Sequence, residues 1–280
     1  MPSDLSSLPP SSPPPSAPSS SPPSSPSSPL MIFGLKSALI RPNDNIFDIL
    51  CSSLSAAGLF FEDNDILVIA ESALATSENR LVALNSISPG DEARRYAELT
   101  GLDAREVELI LRESDVVYGS VRGVLLTLRD GILCPNAGID NSNAPDGHVI
   151  LYPENPSKSA QQIVTSVFKK FGKKVGVIVA DSRTQPLRLG CTGVAIGAAG
   201  FDAVVDKRGE KDLFGKPLYI TRIAVADILA SAAEAVMGEC GECIPFALIR
   251  HSFAAINPEA IGVATISADE CMYLGCLKKE

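Results

Sequence analysis

Three short polar stretches hold most of the groups in this 280-residue chain that could do chemistry. The first, Cys134-Pro-Asn-Ala-Gly-Ile-Asp-Asn-Ser-Asn-Ala-Pro145, crowds Asp140, Asn141 and Asn143 into one turn. Oxygen donors so placed suit a hard cation or a nucleotide, although the same atoms could bond their own backbone in an Asx-turn. The second, Ala180-Asp-Ser-Arg-Thr-Gln-Pro-Leu-Arg188, follows an apolar segment that reads as a strand buried on both faces. Asp181 and Ser182 then sit at the carboxyl end of that strand, where open α/β sheets bind ligands. An Asp beside a Ser can hold Mg²⁺ or Mn²⁺, while Arg183 and Arg188 can neutralise phosphate or carboxylate. The plainer alternative is a turn capped by Asp181 with two solvated arginines. The third stretch, Met237-Gly-Glu-Cys-Gly-Glu-Cys-Ile-Pro245, offers glycines that let a ligand approach backbone, and the carboxylates Glu239 and Glu242.

Other chemistries fit poorly. Cys240-x-x-Cys243 suggests zinc or redox work, but zinc needs four ligands and the other close pair, Cys271 and Cys276, has x₄ spacing with no histidine nearby. Buried or incidental thiols are the preferred reading. His148 and His251 are the only histidines, and neither has the neighbours of a hydrolase triad. Gly209 and Gly215-Lys216 are mis-spaced for a Walker phosphate loop, and the glycines at 190, 193, 197 and 200 do not form a dinucleotide fingerprint.

The elements that must position these loops alternate between helix and strand. Asn45–Ala57 reads as a helix ended by Gly58, and Ile66–Ala70 as a strand. Pro89–Thr100 and Asp103–Ser114 read as two short helices, and Val124–Leu128 with Ile132–Cys134 as a hairpin turned by Asp130-Gly131. Ser157–Phe171 is helical and Lys174–Ala180 a buried strand. A Gly-rich stretch, Gly190–Gly200, precedes a helix at Ala224–Met237, the third polar loop, and a strand at Ile244–Ile249. The fold class is therefore α+β or α/β, with mixed sheets and helices.

Composition narrows the function. With 24 Lys and Arg against 33 Asp and Glu, and the basic residues scattered, the patch that would neutralise nucleic-acid phosphates is missing. Mean hydropathy is positive at +0.18, yet the uninterrupted apolar runs fall far short of the roughly 20 residues that span a bilayer. Seven cysteines, an odd number with no dense framework, together with the lack of a signal-peptide pattern, fit a reducing cytoplasm. The first 30 residues contain 11 Pro and 13 Ser and no Lys or Arg, so residues 1–30 read as a disordered extension and residues 31–280 as the folded part.

Taken in order, Asn136-Ala-Gly-Ile-Asp-Asn-Ser-Asn143, Val175-Gly-Val-Ile-Val-Ala-Asp-Ser182, Gly193-Val-Ala-Ile-Gly197, Asp212-Leu-Phe-Gly-Lys-Pro-Leu218, Ala224-Val-Ala-Asp227 and Met237-Gly-Glu-Cys-Gly-Glu-Cys-Ile-Pro245 resemble the coenzyme F-420:L-glutamate ligase family. The resemblance is collinear and covers roughly residues 35 to 250. It implies the fold of that family, an intertwined homodimer, and a reaction joining L-glutamate by a γ-glutamyl amide to a deazaflavin coenzyme precursor. It also implies GTP as co-substrate, with Mg²⁺ or Mn²⁺ and K⁺ as cofactors. Carried over by position, Asp140, Asp181, Ser182 and Glu239 would hold the divalent cations. Asn143 and the loop Gly238, Glu239, Cys240, Gly241, Glu242, Cys243 and Ile244 would contact GTP, as would Glu71-Ser72. Arg183 or Arg188 would hold the carboxylate of the incoming amino acid.

The sequence also departs from the family: Thr76 stands where a nucleotide-binding lysine is usual, and Arg183-Thr-Gln-Pro-Leu-Arg188 replaces a G-R-x-x-R pattern. These departures bear on the nucleotide and the acceptor rather than on the metal site, and the alternatives are a ligase of the same fold acting on another acid or a non-catalytic nucleotide- or metal-binding homologue. Two expectations follow. Removing the charge of a metal-binding Asp181 should relieve repulsion and leave metal-free stability unchanged or higher. Deleting residues 1–30 should leave the melting temperature unchanged, and a fall of several degrees on that deletion would show that the extension is structural.

Overall fold

In a computed structural model of the chain, residues 28–277 are described, so nearly all of the Pro/Ser-rich extension lies outside the described residues. Its first elements are β1 (Met31–Leu35), α1 (Ile46–Ala56), β2 (Ile66–Ala70), α2 (Glu71–Ser77) and β3 (Leu81–Ala83). Helices α3 (Asp91–Thr100) and α4 (Ala104–Glu113) follow, then β4 (Val116–Val121), β5 (Val124–Arg129), β6 (Ile132–Pro135) and β7 (His148–Ile150). The second half comprises α5 (Pro156–Phe171), β8 (Gly176–Thr184), β9 (Cys191–Phe201), β10 (Val204–Asp206), β11 (Arg222–Ala224), α6 (Val225–Met237), β12 (Phe246–Arg250), β13 (Ile256–Ile261) and α7 (Met272–Leu277).

The main sheet runs in the order β1-β12-β2-β8-β9-β13. Its one parallel pair is β2 with β8, and the other neighbours are antiparallel. The apolar runs of its central strands are buried on both faces, as the uninterrupted sequences of β2 and β8 indicate. Leu67, Ile69, Val177, Val179, Phe246 and Leu248 meet α1 and α5 through Leu50, Leu54, Ile163 and Val167. The alternate residues Ile66, Val68, Ile178, Ala180, Ala247 and Ile249 meet α6 through Val225, Leu229 and Ala233. The result is a three-layer sandwich with a core on each side of the sheet.

Helix ends follow the sequence. Asn45 caps α1 by accepting from the backbone N–H of Phe47 and Asp48, and Asn155 caps α5 by accepting from Lys158 N, with Pro156 opening that helix. A third core gathers Ala93, Val107, Ile110, Leu125, Ala137 and Val149. It joins α3 and α4 to the β4-β5-β6 sheet and the β3-β7 pair, and so supports the loop that carries Asp140. The Asp130-Gly131 turn has both residues in the left-handed region, as an Asp-Gly hairpin requires.

The Gly-rich stretch, to which the sequence assigns no element, is a strand, β9, whose glycines mark close packing: a side chain at Gly197 would run into the backbone of Pro156 and Ser157 at the start of α5. One expectation needs correcting: residues 181–184 are not a loop but the continuation of β8, with Asp181 opposite Val194 and Ser182 opposite Gly193. The turn-capping reading of Asp181 therefore fails. The last central strand begins at Phe246 rather than Ile244, and β1, β4, α2 and the small pairs gave no clear periodic signal.

Leu229 is fully buried under the sheet while Leu99 on α3 is largely exposed. Leu229→Ala should lower the unfolding free energy by about 2–5 kcal/mol and Leu99→Ala by less than about 0.5 kcal/mol, measured by denaturant titration.

Candidate functional site

The parallel pairing of β2 with β8 sets Ala70 beside Ala180, so Glu71, which opens α2 directly after β2, and Asp181, the next residue along β8, lie at the same end of the pair. A cleft of about 400 Å³ opens there. Ser72, Asp181 and Ser182 line it together with Asp140 and Asn143 from the 136–147 loop and Gly238, Glu239, Cys240, Gly241, Glu242, Cys243 and Ile244 from the loop after α6. The three polar stretches singled out in the sequence are thus brought to one place, and Thr76 also lines the cleft. Arg183 and Arg188 are not among the lining residues.

Each loop is fixed by its own bonds. Asp140 is bridged to Ile150 through both backbone groups, and its Oδ1 accepts from Ser142 N at 2.7 Å, so the Asx-turn and the place in the cleft coexist. Asn141 donates to Glu106 Oε1 on α4 at 2.9 Å, which ties this loop to the third core. Residues 136–138 are all left-handed, and a side chain at Gly138 would collide with the ring of Tyr152. In the loop after α6, Cys240 N donates to Glu242 Oε2 at 2.8 Å, which folds the loop onto its own carboxylate. Cys240 and Cys243 are exposed rather than buried, and among the described residues no three His, Cys, Asp or Glu side chains are grouped as a metal centre.

Arg183 takes a different place from the one its sequence position suggests. Its Nε donates to Asp181 Oδ2 at 3.2 Å, its Nη1 to Leu133 O at 2.7 Å and its Nη2 to Tyr152 Oη at 3.4 Å. The Tyr152 hydroxyl also donates to Asp181 Oδ2. With all three of its nitrogens engaged, Arg183 is a brace for Asp181 rather than a group waiting for a carboxylate. Arg188 is exposed in the turn between β8 and β9. The reading of two solvated arginines therefore holds for Arg188 and fails for Arg183, whose side chain is only 11% exposed.

The electrostatics of the cleft are one-sided. Glu71, Asp140, Asp181, Glu234, Glu239 and Glu242 line it, and no Lys or Arg does among the described residues. Burial pushes the Asp181 carboxyl above its usual range, with Arg183 and Tyr152 pulling it back. Burial pushes Glu71 well above the carboxylate range, and the charges of Asp181 and Asp140 add to the effect. Glu71 Oε2 is buried without a hydrogen-bond partner. The Tyr152 phenol is raised by burial and by Asp181.

Sequence reasoning named Glu71 only as a nucleotide contact and missed Tyr152. For Glu71 a signal existed: Ile-Leu-Val-Ile-Ala-Glu71 and Val-Ile-Val-Ala-Asp181 both run an apolar strand into an acid after Ala. For Tyr152 no pattern in the chain points to it.

Crowded carboxylates and a buried, unpartnered carboxylate oxygen at the edge of a parallel strand pair fit a divalent cation, with Asp140, Asp181, Ser182 and Glu239 at hand to hold it. A family model described as F420-0:Gamma-glutamyl ligase matches residues 34–251, and the chain belongs to that family.

Relatives named coenzyme F420:L-glutamate ligase include one from Methanopyrus kandleri, 41% identical over 212 residues, covering 75% of this chain and 82% of the relative. Another, from Methanocaldococcus jannaschii, is 43% identical over 190 residues, covering 68% of this chain and 76% of the relative. A third, from Methanosarcina mazei, is 40% identical over 215 residues, covering 77% and 83%. Among the described residues no helix is long and apolar enough to cross a membrane.

The brace changes what substitution at Asp181 should do. Asp181→Asn leaves the guanidinium of Arg183 buried without its counter-charge, so metal-free stability should fall by about 3–5 kcal/mol instead of holding or rising. Asp140→Asn keeps the acceptor for Ser142 N while removing a charge that faces Glu71, so its metal-free stability should stay level or rise. Denaturant unfolding of both variants in chelator tests this ordering.

Proposed function

We propose that the protein forms a γ-glutamyl amide between L-glutamate and the carboxylate of a deazaflavin coenzyme precursor, at the expense of GTP. The observation that carries this reading is the convergence of the three family-like loops on one carboxylate-lined cleft at the edge of β2 and β8. In the proposed reaction an acceptor carboxylate oxygen attacks the γ-phosphorus of GTP, the bond to the β-phosphate oxygen breaks, and GDP leaves. The amine of L-glutamate then attacks the acyl carbon, loses a proton, and expels phosphate to leave the amide. Asn143, Ser72 and the 238–244 loop are the proposed nucleotide contacts, and Tyr152 and Arg183 keep Asp181 in place. Mg²⁺ or Mn²⁺ on Asp140, Asp181, Ser182 and Glu239 would supply the positive charge that phosphoryl transfer needs, and K⁺ belongs to the same proposal.

A homodimer is part of the reading. Leu187 and Leu189 at the β8–β9 turn are fully exposed, as are Leu213 and, nearly so, Phe214 in the segment between β10 and β11. Apolar side chains projected this far mark a surface that another protomer covers. Arg188 rides on the same turn and is the remaining cation proposed to meet the incoming carboxylate.

A second reading, a ligase of the same fold acting on another acid, is favoured by the lack of any Lys or Arg along the cleft and by Thr76 at the usual lysine position. Purified protein incubated with GTP, Mn²⁺, L-glutamate and deazaflavin acceptors should give a product heavier by one glutamyl residue, read by mass. GTP hydrolysis that needs some other acid would favour the second reading, and no acid-dependent hydrolysis would sink both. Sedimentation should show a dimer, and Leu187→Glu with Leu189→Glu should shift it toward monomer.

A further inference from the structure

We propose that Glu71 is itself a ligand of a divalent cation, joining Asp140 and Asp181 at the edge of the parallel strand pair. The inference rests on reading the cleft as a cation site, and extends the ligand set that the family pattern implies. Three observations converge on it. The register that sets Ala70 beside Ala180 brings Glu71, the first residue of α2, and Asp181 to the same end of the strand pair, where the charges of Asp181 and Asp140 act on Glu71. Glu71 is only 7% exposed, it lines the cleft, and its Oε2 has no hydrogen-bond partner. No Lys or Arg lines the cleft among the described residues.

A buried carboxylate oxygen without a donor or a counter-ion is unusual enough to need an explanation, and a cation supplies one. The three carboxylates are not drawn together as a finished metal centre. Mg²⁺ does not require that, because it keeps several waters and commonly takes one or two carboxylates plus a substrate phosphate. With Thr76 where a lysine would otherwise stand, a cation held by Glu71 would also return positive charge to the phosphate-facing part of the cleft. The rival explanation is a neutral, protonated Glu71 that merely fills space.

The test uses Mn²⁺ alone, with no nucleotide, on the full chain. Free Mn²⁺ is followed by electron paramagnetic resonance while wild type, Glu71→Gln, Glu71→Asp and Asp140→Asn are titrated, and circular dichroism and the melting temperature in chelator report folding. Glu71→Gln is expected to weaken Mn²⁺ binding at least tenfold and to shrink the Mn²⁺-induced rise in melting temperature, while melting in chelator at or above the wild-type temperature. Glu71→Asp should retain part of the binding. Should Glu71→Gln fail to fold, Glu71→Asp decides, with a loss of at least threefold expected and wild-type affinity overturning the inference. Wild-type affinity in Glu71→Gln beside weakened binding in Asp140→Asn removes Glu71 from the ligand set and leaves the cation reading of the cleft intact. Wild-type affinity in both, or no binding by the wild type, overturns the cation reading along with the inference.

Discussion

Like charges gathered in a partly buried cleft repel, and the structure around this cleft is arranged to hold them there. Glu71 and Asp181 are forced together by the register of β2 against β8, and Asp140 is brought to them by a loop bridged to Ile150. A residue displaced from either strand would break this meeting, because a one-residue slip turns every side chain to the other face. The apolar alternation of β2, β8 and β12 therefore does two jobs: it seals both cores and it fixes where the acids emerge.

The acids are not left to settle by themselves. Asp181 is held from one side by Tyr152 and Arg183, and Arg183 is in turn anchored on the carbonyl of Leu133 in β6. Gly138 makes room for the Tyr152 ring, and the left-handed run at 136–138 turns the chain toward Asp140. The third core thus reaches the site through the loop that carries Ala137 and Ile139, and the first core through Tyr152. Arg183, which the family resemblance offers for the substrate carboxylate, proves to be fully occupied with protein.

Much of this was legible in the chain because the signals were local and strong. The helix at 46–56 came with its Asn45 cap, β2 with an uninterrupted apolar run, and the Asp130-Gly131 hairpin with its turn pair. The three polar loops stood out because they interrupt apolar segments, and the resemblance over residues 35 to 250 coincides closely with the matched span of 34–251. What was hidden depends on contacts distant in sequence. Glycines in β9 give no strand signal because their purpose, close approach to α5, lies on another element. The extension of β8 past Asp181 was masked by a polar sequence that is stabilised by pairing with β9. The role of Arg183 depends on Leu133 and Tyr152, which are 50 and 31 residues away.

Among the described residues no Lys or Arg lines this cleft, and the proposed function makes phosphate binding there depend on bound cations. Calorimetric titration of GTP into the protein, once in chelator and once with saturating Mn²⁺, addresses it directly. Cation dependence gives no measurable binding in chelator and micromolar-range binding with Mn²⁺. GTP binding of equal strength in both would contradict it, and would mean that phosphate charge is met by protein groups outside this cleft.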